Sequence, residues 1–309
     1  MNFTLKQLRY VEAAGRLGSI AKAAVEVSIS QSSITASIDA LEASLDYALF
    51  VRTPAKGITP TSAGREALQL ISTYLNQTRQ FDSELQSQGG DNTGLVRIAC
   101  YATAAPTFLP PILKSITKNF PGISVKVMEG NMMSIVDYLD NGEVDLVFNY
   151  DRHVPPVQAF EPLFPAPPYA LISKSDAASQ LPSITFEKLS KKPMVMLDLP
   201  YTRDYFLGLF RTRGLEPELA HSTRSSEIAQ ALVEGDFGYT LLNIRPRTYS
   251  ANDSRFSAVP ISDSSHVPVF GIATLSNLRQ PKNVRSFIKI CTQLRDEGVF
   301  DSCTVSAPS

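Results

Sequence analysis

Residues 17–52 read LGSIAKAAVEVSISQSSITASIDALEASLDYALFVR. Two short helical patterns lie back to back in this stretch. Gly18-Ser19 breaks the preceding pattern, and Ser19 suits the N-cap of a helix over 20–25. Ala21, Ala23 and Ala24 are small enough to let two helices cross closely. Val27 and Ile29 flank Ser28 in a short turn. Ser30 is a second cap, followed by Ile34, Ile38, Leu41 and Leu45 at i, i+4, i+7 and i+11, which is one apolar stripe. The opposite face carries Gln31, Ser32, Thr35, Ala36 and Asp39. Upstream, Leu5, Leu8, Val11 and Ala14 also repeat at helical spacing. Two helices joined by a turn of a few residues form a helix-turn-helix, whose second helix presents its N-terminal side chains to the major groove of DNA.

The segment over 50–60 then offers two short extended pieces around a basic, Gly-containing turn, which reads as a wing. Arg52 and Lys56 can reach phosphates or the minor groove from there. Arg52 has a second reading, folded onto the acids of its own domain. A long helical run starts near Thr61-Ser62-Ala63-Gly64-Arg65 and continues to about residue 88. Leu68, Ile71, Leu75, Thr78, Asp82 and Leu85 alternate by threes and fours, the seam expected of a short coiled coil and hence of dimerisation. The competing reading is an amphipathic helix lying on its own domain. Gly89-Gly90-Asp91-Asn92 reads as a flexible hinge.

From Gly94 strands alternate with helices: a strand over 95–100, a helix over 109–120, a strand over 125–129, a helix over 135–139 and a strand over 145–150. A βαβαβ order implies a parallel sheet with helices on both faces. The proline-rich run over 151–168 reads as an aperiodic crossing. A second unit follows, with strands over 169–173, 194–197 and 239–243 and helices over 204–213 and 225–234. A last strand over 269–275 and helix over 283–294 suggest that the chain returns to complete the first unit. The end, 302–309, reads as disordered.

A chain of 309 residues is too long for one ordinary core. Its net charge of −1 argues against a non-specific, nucleoid-type binder but not against a site-specific one. No stretch approaches a membrane span, and residues 1–15 show no signal-peptide pattern, so a cytoplasmic protein with no membrane partner is expected. His153, His221 and His266 stand apart, and no GxSxG, P-loop or GxGxxG motif occurs, so no catalytic residue and no enzyme is expected. Cys100, Cys291 and Cys303 are widely spaced, which speaks against a metal site and for inert packing over a redox switch.

Gly18-Ser19, Ala23-Ala24, Ser30-Gln31-Ser32-Ser33-Ile34-Thr35, Leu41-Glu42, Leu45, Leu49-Phe50, Arg52 and Thr59-Pro60-Thr61-Ser62-Ala63-Gly64 together resemble the N-terminal signature of LysR-type transcriptional regulators. Phe120-Pro121-Gly122, Gly142-Glu143-Val144-Asp145-Leu146 and Val233-Glu234-Gly235-Asp236-Phe237-Gly238 look like that family's effector-binding domain. The resemblance implies a winged helix-turn-helix and a linker helix, then two α/β subdomains of periplasmic-binding-protein type with a small effector between them. It also implies dimers or tetramers on double-stranded promoter DNA, with RNA polymerase as a further candidate partner. The expected domains are a DNA-binding domain over 1–60, a linker and dimerisation helix with hinge over 61–90, and an effector domain over 91–302, with a flexible tail over 303–309. Subdomain I would take about 91–162 plus 268–302, and subdomain II about 163–267.

The chain departs from the family pattern in places. Ala36 and Asp39 stand where many members carry Arg or Lys, and Asp46 where a Gly is common. Six basic residues against five acidic ones leave residues 1–60 at only +1. Modest phosphate neutralisation per protomer, with help from oligomerisation, is therefore expected.

For DNA, the candidates are Ser30, Gln31, Ser32, Ser33 and Thr35, with Arg52 and Lys56 from the wing; Gln can pair bidentately with adenine, and Ser30 has an alternative reading as a cap alone. For the effector, strand ends are the guide, because ligands of open α/β sheets sit beyond the carboxyl ends of strands. Those positions are Tyr101, Thr103, Ala104, Asn149 and Tyr150 in the first unit and Tyr201, Thr202, Arg224 and Asn243 in the second. Thr103 matches a hydroxyl position common in the family. An organic acid or an aromatic effector, with no cofactor, is the expectation. Each tyrosine reads equally as interface packing, and Arg224 as a surface ion pair. The rival function within the same fold is a cysteine-based redox regulator, which needs two reactive thiols within reach of each other.

Overall fold

The computed structural model describes residues 3–53, 57–87, 92–155, 158–246, 255–264, 267–276 and 280–306. The chain divides into two compact units, Met1–Gln86 and Ser87–Ser309.

The N-terminal unit opens with helices α1 (Leu5–Leu17), α2 (Ile20–Glu26) and α3 (Gln31–Leu45). Local capping chemistry sets each start. Thr4 and Gln7 form a capping box on α1. The Ser19 and Ser30 hydroxyls accept the N–H groups of Lys22 and Ser33, at 3.3 and 3.2 Å. Ser28, at φ +56°, turns the chain between α2 and α3. Ile34 and Ile38 are fully buried beside Leu41, against Leu8, Val11, Ala14 and Ala23. Asp46 ends α3 in the left-handed region at φ +60°. Strands β1 (Phe50–Thr53) and β2 (Gly57–Pro60) pair antiparallel as the wing.

Helix α4 (Ser62–Ser87) starts where the Thr61 hydroxyl accepts the Gly64 N–H at 2.8 Å. A side chain at Gly64 cannot fit, because its Cβ would lie 2.0 Å from the Leu49 carbonyl oxygen. The seam expected on this helix is corrected. Ile71 and Leu75 are buried in their own domain's core with Ala67, and Leu68 packs beside them. The exposed apolar stripe is Leu70, Tyr74 and Phe81, together with Leu85 of the expected seam. The first half of α4 thus spends its heptad face on its own unit and leaves the neighbouring face open.

The second unit contains two lobes. Lobe I holds β3 (Gly94–Tyr101), α5 (Ala105–Asn119), β4 (Ile123–Gly130), α6 (Met132–Asp140), β5 (Leu146–Tyr150) and β6 (Gln158–Pro165). Lobe II holds β7 (Tyr169–Ser173), α7 (Phe186–Ser190), β8 (Pro193–Leu197), α8 (Thr202–Arg211), β9 (Glu218–Thr223), α9 (Ser226–Glu234), β10 (Thr240–Leu242) and β11 (Phe256–Pro260). The chain then returns to lobe I through β12 (Val269–Leu275) and α10 (Lys282–Asp296). The lobe I sheet has the order β4-β3-β5-β12-β6. β3 runs parallel to β4 and β5, while β12 runs antiparallel to β5 and β6. Its core is aromatic: Phe108 lies 4.7 Å from Phe148 and 4.9 Å from Phe270, centroid to centroid.

Lobe II combines an antiparallel sheet β10-β7-β11 with the parallel pair β8-β9. Three expectations are corrected in this unit. The lobe I sheet is mixed, because the returning strand pairs antiparallel. The proline-rich crossing contains β6. The end of the chain is ordered further than expected: Cys303 and Val305 are buried, and the Thr304 hydroxyl donates to the Pro165 carbonyl at 2.8 Å. No helix among the described residues is long and apolar enough to cross a membrane.

Candidate nucleic-acid interface and effector cleft

The start of α3 exposes Gln31, Ser32 and Ser33, with Thr35 half-buried beside them. The four hydroxyls are already engaged in part. Ser30 Oγ lies 2.8 Å from both Ser32 Oγ and Ser33 Oγ while it caps the helix. Thr35 Oγ1 donates to the Gln31 carbonyl at 3.0 Å. Among the described residues, the Gln31 carboxamide has no protein partner, so both its donor and its acceptor remain for a base edge.

Arg52 takes the second of its two expected readings, folded onto the acids of its own domain. Its guanidinium donates to Asp39 on α3 and to Glu42 at 3.3 Å. The hydrogen bond to Asp39 and the charges of both acids hold its pKa above the ordinary arginine value. Glu42 also accepts the N–H groups of Leu49 and Phe50, at 2.7 and 3.0 Å, and so pins the start of the wing onto α3. Asp39 is the acid that replaces a basic residue of the family pattern, and the one cation described on the wing answers it. Lys56 lies outside the described residues.

In the second unit a cavity of about 30 Å³ opens between the lobes, room for a water or two. Six of the expected residues line it: Tyr101, Thr103, Ala104, Tyr150, Thr202 and Asn243. Strand ends and helix starts put them there. Tyr101 ends β3 and Tyr150 ends β5, Thr103 and Ala104 precede α5, and Thr202 opens α8.

Three hydrogen bonds organise the cleft. The Tyr101 and Thr202 hydroxyls meet at 2.8 Å across the lobes. Asn243 Nδ2 donates to the Ala166 carbonyl at 2.8 Å and to the Tyr205 hydroxyl at 3.1 Å. Burial raises the pKa of Tyr101 and of Tyr205, and raises that of Tyr150 well above the usual phenol value. All three phenols therefore stay protonated at neutral pH.

Three expected residues do not line the cavity. Asn149 is fully buried, and its Oδ1 accepts the Tyr150 N–H at 2.8 Å. Tyr201 is 45% exposed and takes the left-handed φ of +63°, a turn that leaves its successor Thr202 in the cleft. Arg224 is exposed beyond the end of β9.

The lining also includes residues that strand ends did not indicate. Tyr205 and Phe206 lie on the first turns of α8, Ser226 and Gln230 on α9, and Met132 opens α6. Ser226 and Gln230 share a face at i, i+4, which only the placement of α9 reveals.

All three cysteines are buried. Burial, with the Glu129 charge, pushes the Cys100 thiol up to about 12, and burial also raises Cys291. Among the described residues no cluster of His, Cys, Asp or Glu could hold a metal ion.

Two family profiles match the chain. "Bacterial regulatory helix-turn-helix protein, lysR family" covers residues 5–65, and "LysR substrate binding domain" covers residues 89–295. The probable HTH-type transcriptional regulator LrrA of Synechococcus elongatus is 26% identical over 96% of this chain and 98% of its own. The crystal structure of HinK, a LysR family transcriptional regulator from Pseudomonas aeruginosa, is 28% identical with a TM-score of 0.61, over 96% of this chain and 98% of that one. Full-length OxyR from Pseudomonas aeruginosa, at 19% identity, shares the fold with a TM-score of 0.76 over the whole of both chains.

Proposed function

This chain belongs to the LysR family of DNA-binding transcriptional regulators, which are not enzymes, and from that premise we propose that its DNA binding is controlled by a small molecule taken up between lobes I and II. The observation that carries this reading is the Tyr101–Thr202 hydrogen bond across a partly open cavity lined by hydroxyls, carboxamides and hydrocarbon. A cavity of about 30 Å³ is far below the several hundred Å³ of a typical ligand pocket, so the lobes part to admit an effector. Binding then shifts the balance between lobe arrangements by the ligand's difference in affinity for them.

The DNA-reading residues in this reading are Gln31, Ser32, Ser33 and Thr35 on α3. Arg52 reaches a phosphate only after leaving Asp39. The protomers pair through the exposed stripe of α4. Beside it lies a groove of about 530 Å³, lined by Leu45, Leu70, Ile71 and Tyr74 among others, which suits a second copy of this chain. The cytoplasm is the compartment in which this function is placed.

A thermal-shift screen of metabolites on the full chain, followed by gel shifts on promoter DNA, tests the reading. A cleft ligand that raises the melting temperature should also change the DNA complex. A redox reading has less support, because every thiol is buried and the two raised pKa values keep Cys100 and Cys291 protonated.

A further inference from the structure

Among the described residues, no charged side chain lines the cleft. Its walls are phenols, hydroxyls, carboxamides and hydrocarbon. The nearby Arg152 is spent on stacking: its guanidinium lies 4.4 Å from the Tyr205 ring centroid. An anion closed into such a site loses its hydration and gains no opposite charge.

Helix N-termini hold anions in many proteins, and α5, α8 and α9 all begin at this cleft. The ends of α8 and α9 are already answered. Asp204 and Glu227 sit in the first turns of α8 and α9. The N–H groups of Thr202 and Arg203 both go to the Leu199 carbonyl, at 3.1 and 3.2 Å, and the Ser225 hydroxyl takes the Ile228 N–H. The first turn of α5 carries Pro106, which has no N–H.

The Ala166 carbonyl only accepts, so the Asn243 atom beside it is the amide nitrogen. The other Asn243 proton goes to the Tyr205 oxygen, which leaves the Tyr205 proton to be donated elsewhere. Among the described residues no acceptor takes it, and Tyr205 lines the cavity.

The geometry points to an effector that is uncharged at neutral pH and sets a carbonyl or hydroxyl oxygen on the Tyr205 hydroxyl, with an apolar or aromatic body against Met132, Leu197 and Phe206. This rests on the cleft being the effector site. The ligand enters by separating Tyr101 from Thr202, and of the organic acid and the aromatic that the sequence left open, the uncharged aromatic fits this lining.

The test is thermal unfolding and calorimetric titration of the full chain with amide and carboxylate probes matched in shape: benzamide and benzoate, phenylacetamide and phenylacetate, butyramide and butyrate. At least one amide should bind with its carboxylate partner at least roughly tenfold weaker, and Tyr205→Phe should weaken that amide by a similar factor. The charge comparison in the unaltered chain decides the matter even if the variant folds poorly. Carboxylates that bind as well as their amides, with loss in Thr202→Val, would overturn this inference and leave the cleft reading standing. Binding by neither class would contradict both.

Discussion

The Tyr101 hydroxyl at the end of β3 lies 2.8 Å from the Thr202 hydroxyl at the start of α8, one hydrogen bond tying the two lobes together. Both residues are buried, at 4% and 3% exposure, so removing one partner costs the other a buried hydrogen bond. Thr202→Val keeps the shape and deletes the hydroxyl. It should lower the stability of the effector unit by about 1–2 kcal/mol in urea denaturation. It should also increase hydrogen exchange along β3 and at the start of α8.

Asp39 and Arg52 neutralise one another across the α3–wing junction. Asp39→Asn leaves Glu42 as the guanidinium's acid partner among the described residues, and raises by one the net charge of a unit that carries little. DNA affinity should rise several-fold at moderate salt, and the slope of log K against log salt should steepen by about 0.9 for one added phosphate contact. Fluorescence anisotropy over a salt series measures both. Weaker binding by the variant would instead make Asp39 a base-reading residue.

The two faces of α4 should respond differently to charge. Phe81→Glu lies on the exposed stripe and should shift the sedimentation profile towards monomer while the N-terminal unit stays folded. Leu75→Glu places a carboxylate in that unit's core and should cost about 3 kcal/mol or more in stability.

Asp46 holds the left-handed conformation that glycine adopts without strain. Asp46→Gly should stabilise the N-terminal unit by up to about 1 kcal/mol, read from its thermal unfolding midpoint.

Cys100 has a pKa raised from 9.0 to about 12, so its thiolate forms only as pH approaches that value. At pH 8 the thiolate fraction is roughly one in ten thousand. Thiol reagents should label Cys100 and Cys291 slowly in the native chain and quickly after denaturation, and peroxide should leave DNA binding unchanged.

Much of the N-terminal unit was legible because its signals are local. Ser19 and Ser30 cap within three residues of themselves, and Ile34, Ile38 and Leu41 show their stripe directly. The face of α4 was not legible, because threes and fours in sequence do not say whether a stripe meets its own core or a partner. β9 escaped notice because Glu218–Thr223 is almost wholly exposed and carries no alternation. β6 was hidden by prolines, tolerated at a sheet edge where ladder donors are not all needed. The helix expected over 109–120 begins earlier, at Ala105, and runs through Pro110 and Pro111. In the cleft, Tyr101, Tyr150, Thr202 and Asn243 followed from strand ends. The left-handed turn at Tyr201, which leaves Tyr205 as that region's lining tyrosine, depends on backbone geometry that its sequence does not announce.

The central claim is that occupancy of the lobe cleft changes how this regulator engages DNA. DNase I footprinting of the full chain on a promoter it binds, with and without a saturating cleft ligand, tests it most directly. The account predicts a change in the protected half-sites or in the hypersensitive positions that report bending, and loss of that response in Tyr205→Phe. Identical footprints with a ligand that calorimetry shows to fill the cleft would contradict it.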